Sequence, residues 1–406
     1  MTASAPPSDP SVPNSESLLG LRVQIDSLDQ QLLGLLNQRA HVAEQVGEIK
    51  KREGTPFFRP DRVAQVIEKM QHTNAGPLKD LHVAAIWREI MSACLALESP
   101  QRVAVLGPEG TFCEQAAIEY FGGAADLTAS TKTIFKDSPS FHVDPTGRNV
   151  FFGVREFGMC AMVNGMAAHG GLIPFGSTFF VFSDYCRSAL RMAALMSVHS
   201  LFVFTHDSVG LGEDGPTHQP IEQLMSLRAI PQLTDFRPAD ANETAAAWRL
   251  ALERKSASFM ALSRQDLPVL DNEKYKVQEG CNHGAYILEK GTDIILLAAG
   301  SEVALIMEAA AKLKAEGISA TVISMPSFRI FDEQSDAYKA SLFPEGTPKI
   351  AIEAGATMGW YKYVGHNGVV IGLDRFGASA PGPIALEKLG ISVAHVIEHA
   401  KKLVKK

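Results

Sequence analysis

The sequence lacks paired cysteines, a long apolar run and an excess of positive charge, and each absence argues against one class of protein. Its five cysteines are odd in number and show neither a CxxC pair nor a metal-like spacing; they are Cys94, Cys113, Cys160, Cys186 and Cys281. We therefore expect reduced thiols, no metal site and a cytoplasmic location. Neither a secretory leader nor a membrane-spanning apolar run is present, so no membrane partner is expected. The net charge of -7 gives no support for a nucleic-acid partner.

The rest of the composition is that of a multidomain globular protein. With 406 residues, of which 46% are hydrophobic and 20% charged, the chain is long enough for two to three domains with buried cores. Residues 1–16 are rich in serine and proline, which predicts a disordered tail before the first domain.

Residues 18–49 contain no proline and predict one long helix. Its apolar residues recur at alternating steps of three and four, with one gap, which is the pattern of a heptad seam. They are Leu18, Leu21, Ile25, Leu28, Leu32, Leu35, Val42, Val46 and Ile49. Arg39 fills the missing seam position, where a guanidinium is costly unless it is paired. Two interpretations stay open for Arg39: a structural ion pair inside the seam, or an anion receptor between helices.

The length of this helix predicts a dimer. About 33 residues at about 1.5 Å each span roughly 50 Å, whereas the two helices predicted after it, at residues 61–73 and 78–97, are too short to cover the seam. Arg22 and Lys50 share one stripe but lie roughly 40 Å apart, so they cannot meet within one chain. In an antiparallel pair of long helices, Arg22 of one chain approaches Arg39 and Lys50 of the other. A cationic pocket shared by two chains is therefore predicted.

The stretches LLGLRVQIDSLDQQLLGLLNQRAHVAEQVGEIK, FFRPDRVAQV and IWREIMSACLALE resemble the all-helical chorismate mutase domain that opens the bifunctional chorismate mutase–prephenate dehydratases. The resemblance implies a helical domain at residues 17–100 that rearranges chorismate to prephenate in aromatic amino-acid biosynthesis, without a cofactor. It implies that Arg22 from the partner chain, Arg39 and Arg62 bind carboxylates and that Lys50 donates to the ether oxygen. Glu98 would be a second donor to that oxygen, and it must be protonated to donate.

A shorter segment, RVAVLGPEGTFCEQAAIEYF, follows and predicts a strand, a glycine-rich turn and a helix ending near residue 120. Such a turn can bind an anion at the helix N-terminus, although an ordinary turn between a strand and a helix is the simpler interpretation. The segment resembles the opening of a prephenate dehydratase domain, and the resemblance then stops between Glu119 and Asp126. We therefore assign residues 101–121 to a truncated dehydratase start and expect no dehydratase activity.

From residue 122 onward, strands and helices alternate. Strands are predicted at residues 149–154, 200–207, 257–263, 293–299, 320–325, 349–353 and 369–373. Amphipathic helical stretches between them are typical of parallel α/β layers. A linker at residues 271–290 is expected to separate two such domains, 122–270 and 291–406.

The first of these domains contains a loop rich in glycine and polar residues, HDSVGLGEDGPTHQP, at residues 206–220. An apolar strand delivers His206, Asp214 and His218 to its carboxyl end. A glycine- and proline-rich turn is the simple interpretation, but this placement favours a polar site.

An aromatic run precedes that loop. It places Phe179, Phe182 and Tyr185 three residues apart, ahead of the strand at 200–207. On a helix this spacing usually indicates core packing; the alternative is a platform on which a flat heterocycle stacks.

These features, together with GGAADLTASTKTIFKDS, GRNVFFGVREFGM, LSRQDLP and LDRFGAS, resemble transketolase from residue 122 to the end. The resemblance implies two α/β domains, a thiamine-diphosphate pyrimidine-binding domain and the transketolase C-terminal domain. It implies that Glu156 hydrogen-bonds the aminopyrimidine ring of the cofactor and activates it. The remaining implied contacts are ring stacking by Phe179, Phe182 and Tyr185, sugar hydroxyl binding by His206, Asp214 and His218, sugar phosphate binding by Ser130 and Arg264, and a place near the cofactor for Asp126.

Transketolases carry, before this region, a domain that binds the diphosphate and its metal ion, and here the mutase-like segment stands in that place. The resemblance thus implies thiamine diphosphate with magnesium as the cofactor, but the site that would bind its diphosphate and metal is absent. Three hypotheses follow: a chorismate mutase with an inactive transketolase-like half, the C-terminal section of a split transketolase that needs a separate diphosphate-binding chain, or an accident of gene fusion or sequence assembly.

Overall fold

The structure is a computed structural model that describes residues 18–53, 60–80, 120–135, 138–144 and 147–405, with shorter stretches at 82–84, 86–87, 90–91 and 94. The chain divides into two compact units, Met1–Gln101 and Arg102–Lys406. The predicted tail at 1–16 and the predicted dehydratase-like segment up to residue 119 lie outside the described residues, so neither prediction is tested.

The first unit is helical, as predicted. Helix α1 spans Leu18–Glu53 and α2 spans Pro60–His72, and the residues described between 80 and 94 are mostly helical. At about 1.5 Å per residue, α1 is roughly 54 Å long. The seam residues of α1 from Leu21 to Ile49 are exposed in the single chain; the side chain of Leu35, for example, is 62% exposed.

The second unit begins with a parallel sheet of five described strands. They are β1 (Tyr120–Ala124), β2 (Ile173–Phe179), β3 (Leu201–Thr205), β4 (Thr234–Phe236) and β5 (Ser258–Leu262), in the spatial order β1-β2-β3-β5-β4. The helices among them are α3 (Thr128–Thr131), α4 (Glu156–His169), α5 (Ser183–Met196), α6 (Gln223–Arg228) and α7 (Ala241–Arg254). Strand β1 lies at one edge and pairs with β2 in a register that runs from Tyr120–Ile173 to Ala124–Ser177.

A second sheet follows in the same unit. Its described strands are β6 (Tyr286–Glu289), β7 (Ile294–Ala298), β8 (Ala320–Ser324), β9 (Lys349–Ile352) and β10 (Val369–Ile371), in the order β10-β9-β7-β8-β6, and only β6 is antiparallel to its neighbour. The helices are α8 (Asn272–Tyr275), α9 (Val277–Gly280), α10 (Glu302–Ala315), α11 (Phe328–Asp332), α12 (Asp336–Leu342), α13 (Tyr361–Val364), α14 (Gly382–Lys388) and α15 (Val393–Val404). The central strands are continuous apolar runs because parallel sheets are covered on both faces.

Two predictions about this unit are wrong. Residues 149–154 do not form a strand: Asn149 makes only isolated bridges, and its side-chain amide donates to the carbonyls of Phe135 and Ser138. The predicted linker at 271–290 contains α8, α9 and β6, and β6 belongs to the second sheet. The other predicted strands are confirmed with slightly shifted ends.

Besides β1 and β6, two strands were not predicted, for local reasons. Proline and glycine interrupt the apolar pattern of β2 at Pro174 and Gly176, and β4 has only three residues. Tyr120, predicted to end a helix, is the first residue of β1.

Candidate active sites

The cationic residues of the helical unit lie along α1, where the sequence placed them. Arg22 is exposed, whereas Arg39 and Lys50 are half-buried. With 28 residues between Arg22 and Lys50, the helical rise separates them by about 42 Å, so one chain does not bring them together. Arg62 lies on α2, but its side chain is outside the described residues, as is the whole of Glu98.

The second candidate site forms at the carboxyl edge of the first sheet. Asp126 follows β1, Phe179 ends β2, His206 follows β3 and Arg264 follows β5. Because the carboxyl ends of parallel strands meet at one edge, these residues from distant parts of the chain converge there. This edge is the usual place for a ligand in an open α/β sheet.

The predicted ring-stacking residues form a ladder at this edge. The ring centroids of Phe179 and Phe182 are 6.2 Å apart, and those of Phe182 and Tyr185 are 6.1 Å apart. His206 stacks on Phe179 at 3.7 Å, and His218 meets Phe182 edge-on at 5.6 Å. The ladder is not one helix, as the spacing suggested, but a strand end, a 3-10 turn and the first turn of α5. Since His206 covers Phe179, the more accessible rings are those of Phe182 and Tyr185.

His206 is held in an unusual backbone conformation. Its φ of 61° and that of Asp126, 63°, lie in the left-handed region, which is unfavourable outside glycine and is common at functional sites. The imidazole Nδ1 hydrogen-bonds the hydroxyl of Thr205 at 2.9 Å. Burial, followed by the positive charge of Arg264, lowers the pKa of His206 to about 4 against the opposing effect of Asp214. The ring is therefore neutral at neutral pH and able both to donate and to accept hydrogen bonds.

Glu156 opens α4 and is buried, with 8% exposure. A carboxylate is favoured there because the helix N-terminus carries partial positive charge. The pKa of the Cys186 thiol on α5 is raised by its hydrogen bond with Cys160, by burial, and by nearby charges that include Glu156 and Asp184. Glu156 therefore lies close enough to the start of α5, which carries Tyr185, to act electrostatically on the Cys186 thiol.

The remaining predicted residues lie nearer the solvent. Ser130 lies on α3 and is exposed, as are Asp214 and Arg264, while His218 is half-buried. The charges of Arg264, Asp214 and His218 all act on His206, so the structure brings these four side chains together.

Sequence reasoning missed a buried charge network beside this site. The Arg237 guanidinium donates from Nε to Asp207 at 2.9 Å, and from Nη1 to Glu302 and to Glu353 at 3.3 Å. Asp207 directly follows His206, whereas Glu302 begins α10 and Glu353 directly follows β9, so both come from the part of the unit built around the second sheet. Glu353 also accepts two hydrogen bonds from Arg228. The available signal was a charged residue directly after an apolar strand, Arg237 after β4 and Glu353 after β9.

Some general predictions can also be compared with the described part of the chain. There, Cys94, Cys160, Cys186 and Cys281 are free and buried; Cys113 lies outside it. The described residues contain no group of three or more His, Cys, Asp or Glu that could hold a metal ion. Among them, no helix combines the length and the apolar character needed to cross a membrane.

Family comparisons define the class of each part. Residues 21–99 match the chorismate mutase type II family, 114–269 match the transketolase pyrimidine-binding domain, and 284–392 match the transketolase-like C-terminal domain. The chain is therefore a fusion of a chorismate mutase domain with two domains of transketolase type. The second match begins inside the segment assigned above to a dehydratase start, and the third begins inside the predicted linker.

Individual relatives agree with this assignment. Transketolase from Halalkalibacterium halodurans is 53% identical over 291 residues, which cover 70% of this chain and 44% of that protein. This chain thus spans less than half of that relative. The structure of Pichia stipitis transketolase in complex with sedoheptulose 7-phosphate has 35% identity and a TM-score of 0.71, and the match covers 80% of this chain and 53% of that one. A split gene transketolase, described as an inactive β4 tetramer, has 26% identity and a TM-score of 0.57, over 72% of this chain and 93% of that one.

Proposed function

We propose that the helical domain is a chorismate mutase that works as a homodimer. The supporting observation is the exposed apolar seam of α1, because a long helix does not leave such a seam in water when a partner can cover it. In the dimer, Arg22 of one chain joins Arg39 and Arg62 of the other in binding the two carboxylates of chorismate. Lys50 and protonated Glu98 donate to the ether oxygen, where charge develops as the bond breaks.

Catalysis then needs only a compact substrate conformation and stabilised charge, so no cofactor takes part. The free thiols among the described residues favour the reducing cytoplasm as the place of action.

Subunit mixing tests the shared site. Chains with Arg22→Ala and chains with Arg39→Ala are each inactive in the shared-site arrangement. Dissociated together and reassembled, they form heterodimers in which one site has both arginines, so activity should return to about a quarter of the wild-type value. Arg52→Ala, at an exposed position on the same helix, is the matched control and should stay active throughout. If no activity returns on mixing, the dimeric site is wrong.

The transketolase-type half, in our proposal, is the ring-binding side of a thiamine-diphosphate site and is inactive alone. Glu156 and the ladder of Phe182 and Tyr185 fit an aminopyrimidine, with one hydrogen-bonding acid and two accessible rings. The described residues do not fit the magnesium–diphosphate end of the cofactor in the same way, since they offer no cluster of metal ligands. When bound, thiamine diphosphate supplies the nucleophilic carbon for transfer of a sugar fragment.

The polar residues at the sheet edge then bind the sugar. Neutral His206, with His218 and Asp214, contacts the sugar hydroxyls, and Ser130 and Arg264 bind the phosphate. The Pichia stipitis enzyme, which is described in complex with a sugar phosphate, supports this substrate class. The split gene relative, described as an inactive β4 tetramer, supports the proposal that this half needs a second chain.

Calorimetry tests this second proposal. Ring stacking contributes about 1–3 kcal/mol, which alone corresponds to millimolar affinity or weaker. We therefore expect no measurable binding of thiamine diphosphate and magnesium to the isolated chain, and no turnover. A separately expressed diphosphate-binding chain should restore both. Micromolar, magnesium-dependent binding by the chain alone would contradict the proposal.

The remaining alternative is that the fusion is not a natural product. The intact mass of the protein purified from its source tests it. A mass that corresponds to one continuous chain across Phe121–Gly123 supports a natural fusion. Two separate products would rule out a natural fusion.

A further inference from the structure

The loop at residues 206–220 has little internal support. Its described backbone hydrogen bonds close successive turns, for example from Leu211 N–H to Ser208 C=O at 3.1 Å and from His218 N–H to Gly215 C=O at 3.0 Å. Neither a strand ladder nor a long helix stabilises it. A loop of this kind needs external contacts to hold side chains in fixed positions.

Gln219 provides one such contact. It is buried, with 2% exposure, and its Nε2 donates to the carbonyl of Gly212 at 3.0 Å and to that of Ala378 at 3.0 Å. The first bond closes the loop on itself. The second joins it to residues 377–382, the segment that follows β10 of the second sheet. One buried amide therefore ties the loop to the C-terminal domain.

The 377–382 segment approaches the loop too closely for larger residues. A Cβ on Gly377 would lie 1.8 Å from Oε1 of Gln219, and one on Gly382 would lie 2.3 Å from the carbonyl oxygen of Gly210. Neither glycine has a positive φ, so close approach and not backbone conformation is the reason for glycine at these positions.

A third contact reaches the predicted sugar-binding residues directly. The hydroxyl of Ser379 donates to the backbone carbonyl of Glu213, the residue before Asp214. Gln219 itself directly follows His218. The segment therefore fixes the backbone on which both predicted sugar contacts are carried.

We propose that Gln219 is a positioning residue: with the 377–382 segment it sets where Asp214 and His218 stand relative to His206. The C-terminal domain thereby shapes the sugar-binding side of a site that lies on the other domain. This inference rests on the proposed role of these three residues in sugar binding, and Gln219 itself touches no substrate.

Two variants test the contact by different means. Gly377→Ala inserts a methyl group against Gln219. Gln219→Glu keeps the shape but offers at most one donor, and only when protonated, in place of the two N–H groups that donate to the carbonyls of Gly212 and Ala378. Gly165→Ala is the matched control, because its Cβ would meet nothing within 4 Å. All chains are studied at full length, without cofactor or sugar, at a temperature well below the unfolding midpoint measured for each.

The first readout is hydrogen exchange of the loop amides at 211–215, 217 and 218. We expect it to rise about tenfold or more in both test variants and to stay unchanged in the control. The second is the imidazole pKa of His206, measured by NMR. The groups that face this ring are Arg264, Asp214, Asp207 and His218, and burial is the largest effect. Its pKa should therefore rise from about 4 toward its usual value of 6.5 when the loop loosens.

A double variant gives the sharpest check. In a Gln219→Ala background, the Gly377→Ala methyl group loses its two closest contacts, at 1.8 and 2.9 Å, and keeps only Val209 Cγ1 at 3.0 Å, so most of its added effect on exchange should vanish. If Gly377→Ala does not fold, Gln219→Glu decides the question, since it adds no atoms. Wild-type exchange and a wild-type pKa of His206 in Gln219→Glu would overturn the proposal. A failure of sugar phosphate to bind to the wild-type chain with its partner would instead refute the proposed function and leave these measurements unaffected.

Discussion

Glu243 offers a stringent test of how burial and hydrogen bonding compete in this protein. It lies in the first turn of α7 and is fully buried. Its carboxylate accepts hydrogen bonds from the Tyr286 hydroxyl at 2.8 Å, from the Ser324 hydroxyl, and from the backbone N–H of Ala239 at 2.7 Å. Tyr286 and Ser324 belong to the second sheet, so the carboxylate lies where the two α/β domains meet. All three donors are neutral.

The balance between these effects sets the pKa. Burial raises the pKa of Glu243 from its usual 4.5 to about 7, and the three hydrogen bonds oppose this rise without cancelling it. The folded state therefore binds a proton more tightly than the unfolded state. The resulting stabilisation is fully present below pH 4.5 and is lost as pH rises through 7. A rise of this size corresponds to about 3 kcal/mol of unfolding free energy.

Glu243→Gln removes the charge and keeps the shape. The amide oxygen can accept from Ala239, and the amide N–H groups can donate to the two hydroxyls, which also accept. Urea unfolding is followed by tryptophan fluorescence at several pH values between 4.5 and 8, with the exposed Glu387→Gln as control. The stability of Glu243→Gln relative to wild type should increase by about 3 kcal/mol across this range.

A stability difference that does not change with pH would refute this reasoning. It would mean that the hydrogen bonds keep the carboxylate charged despite burial. A pH dependence of equal size in Glu387→Gln would show that the effect does not come from position 243.

Three further predictions concern other parts of the chain. Arg237→Met should lower the free energy of unfolding by about 3–5 kcal/mol, because it leaves buried carboxylates unpaired; Arg329→Met, at a half-buried position whose ion pair with Glu333 reaches the solvent, is the control, and a loss below about 1 kcal/mol for Arg237→Met in urea unfolding would contradict the network's role. Mutase activity should fall as pH rises through the pKa of Glu98 in the substrate complex, and Glu98→Gln should abolish that dependence; a pH–rate profile like that of wild type would rule out Glu98 as the donor. Tyr185→Ala should leave stability unchanged but weaken thiamine diphosphate binding in the reconstituted complex about tenfold. An unchanged affinity, measured by calorimetry, would show that Tyr185 does not bind the cofactor ring.

The long helix was predictable because its information is local. A proline-free run with one apolar stripe specifies α1 without reference to the rest of the chain. Apolar runs likewise gave the strands β3 and β7. The β2 strand was hidden because Pro174 and Gly176 break its pattern, and its formation depends on pairing with β1 and β3.

The candidate site was predictable only in part. The residues of the 206–220 loop are neighbours in sequence, so their common location could be inferred from one motif. The partners of Arg237 are 30, 65 and 116 positions away, and no local pattern connects them. The aromatic spacing was visible, but the change from strand to 3-10 turn to helix within Phe179–Tyr185 depends on the sheet around it.

Strand β1 has a consequence for how such genes can be joined. Our sequence interpretation places the join between Phe121 and Gly122, whereas the match to the pyrimidine-binding domain begins at residue 114. In either case, Tyr120 and Phe121 continue the same ladder with Ile173 and Pro174. A ladder recognises backbone N–H and C=O groups, and an edge strand needs a partner on one side only. A join ahead of Gly122 is therefore less constrained by side chains than one at Gly122 or Gly123, where an added Cβ would lie 2.3 Å from the carbonyl oxygen of Phe175 or 1.9 Å from that of Val150. Any upstream module whose last residues can extend would serve as the outermost strand, which makes this edge a natural attachment point for foreign domains.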